Sequence, residues 1–316
     1  MTSCHFKVAS WKQLCQWIGL GLFAFLMPLV ADDIEPLSRD NSAASNHRDL
    51  LSQLPLSGSA MLPLNILYQD EHLVAVHKPS GLLVHRSALA RGETEFLLQR
   101  LRDQIGKRVY PVHRLDRPTS GVMVFGLSSE AAAVLSEGFS ERQVEKRYLA
   151  VVRGKAPEQE RLDYPLREED GTRPKAEMPA MPAMTDIRRL DSVELPVQVD
   201  RYPVARYSLV EARPMTGRRH QIRRHLSRRG YPIIGDAKHG KSVHNRFFAD
   251  QLNAPRLLLA ATYLAFDHPL IDKRIQLSCA LDATMRSLFE QFGWAGHLPL
   301  DSVRTPAIST PAALQR

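Results

Sequence analysis

The stretch HRLDRPTSGVMVFG, residues 113–126, sets a single acid, Asp116, between Arg114 and Arg117. Pro118 and a Thr119-Ser120-Gly121 turn follow, and then an apolar run. Cations beside a carboxylate favour an anion, which suits a nucleophile or an electrostatic stabiliser. A general base is made differently, in an apolar pocket that raises its pKa. Taken on its own, a lone Asp-Arg cluster reads best as a structural ion pair. No Ser-His-Asp spacing, P-loop or G-x-G-x-x-G accompanies it, so hydrolase and nucleotide-binding readings lack support.

A second chemically marked stretch holds Arg213, Arg218, Arg219, Arg223, Arg224, Arg228 and Arg229 within residues 213–230, with no acid among them. Like charges on one helix repel by a few tenths of a kcal/mol per i,i+4 pair, so such a run needs counter-charges. Phosphates supply them well, because the guanidinium fork matches phosphate oxygens with paired hydrogen bonds. An acid from another segment is the competing source, and Asp116 is the candidate for it. The whole chain has a formal charge of +8, while residues 1–60 hold four Lys/Arg against five Asp/Glu. The positive excess therefore belongs to the body, which fits a polyanionic partner such as nucleic acid.

Metal chemistry has little support. The three cysteines, Cys4, Cys15 and Cys279, form neither a disulfide framework nor a CxxC pair. His220 and His225 are five apart, and no Cys or carboxylate completes a ligand set. Neither a metal nor a cofactor is expected.

The elements that must position these residues are readable in outline. NILYQDEHLVAVHKPSG (65–81) reads as two strands about a turn, and residues 93–106 as a helix stopped by Gly106. Residues 122–126 form a strand directly after the Asp116 turn, 128–142 a serine-capped helix, and KRYLAVVRG (146–154) a strand. Residues 155–200, rich in Pro and acids, are expected to form an irregular insertion on the sheet. Strands at 206–214, 256–266 and 274–281 and helices at 217–230 and 282–292 complete the body. Without regular βαβ alternation, this is an α+β domain with flanking helices on a mixed, largely antiparallel central sheet. Its expected limits are 61–296, preceded by a leader over 1–60 and followed by a flexible tail over 297–316. Within the leader, the apolar run WIGLGLFAFLMPLVA (17–31) follows Lys7 and Lys12 and is signal-like, but short for a membrane span. A misplaced start or dispensable extension is the preferred reading, with secretion as the rival.

HRLDRPTSG, KRYLAVVRG and TGRRHQIRRHL together, in this order, resemble the motifs of RluA-type pseudouridine synthases, and KPSGLLVHR (78–86) and PIIGDAKHG (232–240) agree with them. The resemblance covers roughly residues 61–294. It implies the pseudouridine synthase fold and an isomerase without cofactor that turns uridine into pseudouridine in RNA. Asp116 would be the catalytic aspartate, Tyr148 would stack on the target base and help proton removal from C5, and Arg223 would pair with Asp116. Arg114 would replace a nucleotide flipped out of its stack, with Thr119 and His113 beside the Asp as further substrate contacts. Arg218, Arg219 and Arg224, with His85 and Arg86, would contact the RNA backbone. The body is most similar to the tRNA-directed branch acting at uridine 65. The alternatives are a ribosomal RNA synthase, or an RNA-binding or folding factor with incidental activity. A cytoplasmic monomer without a membrane partner is expected. One departure is Ala260, near which family members often carry a histidine.

Overall fold

The structure, a computed structural model, describes residues 62–86, 92, 94–168 and 175–304. The signal-like stretch 17–31, the polar stretch 32–60 and residues 305–316 lie outside the described residues. In chain order come β1 (Ile66–Gln69), β2 (Leu73–Lys78), α1 (Leu97–Ile105), β3 (Tyr110–Pro111), β4 (Ser120–Gly126) and α2 (Ser129–Ser140). Next are β5 (Glu145–Arg153), β6 (Gln159–Asp163), β7 (Leu166–Arg167), β8 (Ala180–Met181), β9 (Met184–Leu195) and β10 (Ala205–Pro214). The chain continues through α3 (Gln221–Arg229), α4 (Ser242–Gln251), β11 (Leu259–Asp267), β12 (Arg274–Ser278), α5 (Ala283–Gln291) and β13 (Ser302–Arg304).

One large sheet runs β1-β2-β4-β11-β5-β10-β9-β6, with β12, β13 and β3 attached off this path. Its pairings are antiparallel except β4 with β11, which are parallel. This is the mixed, largely antiparallel α+β architecture expected. Every residue of β4 is buried, so the strand that leaves the Asp116 turn runs through the middle of the core. Gly121 opens it at φ 122°, with the Ala261 backbone of β11 so close that a Cβ would stand 2.6 Å from the Ala261 nitrogen. Only glycine fits that approach.

Local signals placed several helix ends well. Ser128 caps α2 by accepting from the Ala131 amide, Asp282 caps α5 through the Met285 amide, and Gly106 and Gly230 close α1 and α3 in the left-handed region. Two expectations need correction. The segment 155–200 is not merely an irregular insertion, since β9 within it is a twelve-residue strand paired with both β10 and β6. Its apolar alternation is weak because Thr185 and Ile187 face the core beside charged Asp186 and Arg188. The sheet also passes the boundary read at 296. Ser302–Arg304 pairs with β12 although all three residues are exposed, because backbone pairing at an edge needs no apolar pattern.

Candidate active site

Asp116 stands in the connection between β3 and β4, on a turn closed by the Thr119 amide donating to the Asp116 carbonyl at 3.0 Å. The segment after β2 clasps this turn from below. The Ser80 hydroxyl donates to the Pro118 carbonyl at 2.8 Å, and the Gly81 amide to the Arg117 carbonyl at 2.9 Å. Lys78 is wholly buried, and its ammonium donates to the carbonyls of Pro79 (2.9 Å), Arg117 (2.9 Å) and Thr119 (2.8 Å). Two of these hydrogen bonds hold the turn that presents Asp116, and the third stays within the clasping segment. Burial first, and then the Arg256 charge, push this lysine down to about 7, while Asp116 draws it back up.

The opposite wall is α3 and the loop leading into it. Gln221 folds that loop: its amide nitrogen donates to the Met184 carbonyl (2.9 Å) and the Thr185 hydroxyl (3.0 Å), and its oxygen accepts from the Thr216 hydroxyl (2.6 Å) and the Arg218 amide (3.0 Å). Arg223 then points into the core. Its Nη1 donates to Asp116 Oδ2 at 3.0 Å, while Nε and Nη2 fork onto Asp236 at 2.7 and 2.8 Å. Asp236 is almost sealed from water, its side chain 1% exposed, and also accepts from the Lys238 and His239 amides at 2.9 Å each. Burial alone would raise its pKa, but the Arg223 hydrogen bond, the backbone amides and the Arg223 charge outweigh it and the net shift is downward. Gly235, at φ 77° against the Arg256 carbonyl carbon, leaves the room that this tight loop requires.

These walls enclose a cleft of about 730 Å³ lined by Asp116, Thr119, Tyr148, His220, Arg223 and both faces of the loops between them. Six cations reach it, Arg114, Arg142, Lys146, Arg218, Arg219 and Arg223, against the two acids Asp116 and Glu168. Tyr148 enters from β5, which pairs with β10 and β11 at this residue. Burial first, and the Asp116 charge second, raise its phenol, so it stands as a neutral hydroxyl. Arg114 is exposed at the rim and forms no hydrogen bond or ion pair among the described residues. His113 lines the cleft, where its Nε2 accepts from the Val124 amide at 3.0 Å and its ring stacks on Phe139 at 4.4 Å. Burial, then Lys146, push it down to about 3, so it is a neutral acceptor.

The arginine run differs from its reading as phosphate-seeking throughout. Arg213 meets Glu211, Arg229 meets Glu160 and Arg218 approaches Glu168, while Arg228 lies 4.6 Å over the Tyr164 ring. Glu211 precedes Arg213 by two residues on β10, whereas Glu160 on β6 and Glu168 just after β7 come from segments distant in sequence. Arg224 is only 9% exposed, with Nη1 donating to the Arg219 carbonyl at 3.4 Å. His85 and Arg86 are exposed but do not line the cleft, and Arg86 lies 5.7 Å over the Phe96 ring. Lys78, Ser80 and Asp236 were assigned no role in the sequence reading. Their signals were the KPSG and GDAKHG segments, which carried no visible chemistry.

A mixed sheet that presents an ion-paired aspartate at the floor of a cationic cleft defines the architecture, and comparison supplies the class. The family described as RNA pseudouridylate synthase matches residues 72–228. Proteins called tRNA pseudouridine synthase C are similar over most of the body. That of Vibrio cholerae is 47% identical over 243 residues, covering 76% of this chain and 100% of the relative. That of Pectobacterium carotovorum is 49% identical over 251 residues, covering 78% of this chain and 67% of the relative. The solved human RNA Pseudouridylate Synthase Domain Containing 4 superposes with a TM-score of 0.55 at 28% identity, covering 72% of this chain and 93% of its own. The chain belongs to the RNA pseudouridylate synthase family and is an isomerase of that family.

Proposed function

We propose that the protein isomerises uridine 65 of tRNA to pseudouridine, with Asp116 as nucleophile. The observation that carries this is Asp116 itself, paired with a buried Arg223 at the floor of a cleft to which six cations contribute. The names of the relatives support tRNA as the RNA. Position 65 follows the branch that the body resembles.

A base cannot react inside its stack, so the target is extruded into the cleft at a cost of a few kcal/mol. Arg114, exposed and without a partner among the described residues, takes the vacated place, while Tyr148 offers its ring to the flipped base. The Asp116 carboxylate attacks the uridine, the C1′–N1 bond breaks, the base turns, a C1′–C5 bond forms and the bond to the carboxylate breaks to free it. One proton leaves C5 and one arrives at N1, so the reaction is balanced without an oxidant or co-substrate. As a neutral phenol, Tyr148 acts by stacking and hydrogen bonding rather than as a ready base. Thr119 fixes the turn, and Arg218 and Arg219 stand at the cleft wall to meet the RNA backbone. The reading takes the protein as a monomer acting in the cytoplasm, where a tRNA substrate is met.

Chemical mapping of pseudouridine in total RNA, with and without the gene, tests the proposal. Loss confined to tRNA position 65, restored by the wild-type gene and not by Asp116→Asn, is expected. Loss at a ribosomal RNA position instead would overturn the substrate assignment.

A further inference from the structure

Arg223 occupies only one oxygen of Asp116. The other, Oδ1, faces the Nε2 of His220 at 3.8 Å, a separation at the edge of ion pairing and too long for a formed hydrogen bond. The Nδ1 of the same ring lies 3.1 Å from the Nε2 of His239. The backbone of His239 is itself fixed: its amide donates to Asp236 Oδ1 at 2.9 Å, and its carbonyl accepts from the Ser227 hydroxyl at 2.7 Å. A closed circuit results, Asp116–Arg223–Asp236–His239–His220 and back to Asp116, in which one buried acid anchors both arms.

The backbone at His220 argues against a mere helix terminus. It is the residue before α3, in the left-handed region at φ 54° and ψ 28°, and its side chain makes no capping hydrogen bond. A non-glycine residue there is strained by about 1 kcal/mol, and Ser, Thr, Asp or Asn would have capped the helix. The strain instead turns the ring toward Asp116. Unrewarded strain of this kind gathers at functional sites.

We propose that His220, held by His239, is a positioning residue that donates from Nε2–H to Asp116 Oδ1, so that the nucleophile is gripped on both oxygens. The role rests on Asp116 being the nucleophile. The tautomers follow from the circuit. An Nε2–H directed at the carboxylate leaves Nδ1 bare, and Nδ1 then accepts from the Nε2–H of His239. The groups facing His220 are Asp116, Arg223, His239 and Arg219. Burial first, opposed by Asp116 and aided by the three cations or imidazole, pushes it down to about 4, so the ring is neutral at neutral pH. A neutral donor orients the carboxylate without adding a second positive charge that would blunt its attack. The separation of 3.8 Å is long for a hydrogen bond, and catalytic hydrogen bonds commonly tighten only with substrate in place.

Single-turnover pseudouridine formation and RNA affinity, measured on the full chain with a tRNA transcript, test this. His220→Ala should slow turnover by about tenfold to a hundredfold, the scale of a misplaced reacting group, while RNA affinity and melting temperature hold. His220→Asn, whose amide can donate and whose backbone tolerates the left-handed region, should recover part of the rate. His239→Ala should cost less and add nothing in the His220→Ala background, because one acts through the other. Turnover within about twofold of wild type for His220→Ala, or strictly additive losses, would overturn the proposal. An affinity loss equal to the rate loss would also overturn it and make His220 an RNA contact. Retained turnover in Asp116→Asn would instead remove the nucleophile reading on which the role rests.

Discussion

At the floor of the cleft, Arg223 donates from three nitrogens to two carboxylates and is nearly sealed from water. At the rim, Arg114 and Arg142 stand exposed, and Arg142 holds its backbone at φ 64°. The same side chain does opposite work in the two places. A buried, fully partnered guanidinium fixes geometry before substrate arrives, and salt screens it little. An exposed one contributes little to the fold, and any phosphate contact it makes is modest and sensitive to ionic strength. Floor variants should therefore change turnover or folding, and rim variants should change RNA affinity. Any crossing of the two effects would break the contrast.

The largest effect should come from Asp116→Asn: if Asp116 is the nucleophile proposed above, turnover falls by roughly a thousandfold or more with RNA affinity unchanged. Single-turnover assays beside filter binding measure both. Asp236→Ala leaves Arg223 as a buried charge without its fork and should cost about 3–5 kcal/mol of stability in urea unfolding. A loss below about 1 kcal/mol would mean that the floor is held by something other than that pair.

A smaller effect is carried by pH. His113, held down to about 3 by burial and then Lys146, is neutral when folded, whereas an unfolded histidine protonates near 6.5. The unfolded chain thus binds more protons below 6.5, and stability should fall as pH drops from about 6.5 toward 3. One such group contributes a slope of up to about 1.4 kcal/mol per pH unit, so His113→Gln should flatten the decline between about pH 6 and 5. An unchanged slope would exclude His113 as a source. Least of all, Arg142→Ala should leave melting unaltered and lower the slope of log affinity against log salt by about 0.7 to 1. An unaltered salt slope would remove Arg142 from the RNA face.

The sequence discloses the acid and the arginine more readily than the means of holding them. Asp116 and Arg223 belong to motifs that stand out by charge, although 107 residues separate them. Caps and stops such as Ser128, Gly106 and Gly230 were legible because they act locally. Lys78 was not, because a lysine at a strand end reads as solvent-facing until three carbonyls are seen around it. Asp236 was hidden for the same reason, its partner lying on another element. β9 was obscured by charged residues on its open face, and the parallel β4–β11 pairing leaves no local trace at all. What escaped was long-range pairing of polar groups, which no periodicity encodes.

That β4–β11 pairing also dictates an order of assembly. β11 lies between β4 and β5 in the sheet, yet it comes last of the three in the chain. The turn bearing Asp116 and the strand bearing Tyr148 therefore cannot take their places side by side until residues 259–267 have been made and inserted between them. Such non-local closure is slow, because the connecting loops must be ordered before the contacts reward it. A nascent chain that has already displayed its aspartate and its arginines thus still lacks the strand that joins the Asp116 turn to the Tyr148 strand. It gains a catalytic centre only when one late strand wedges the sheet shut.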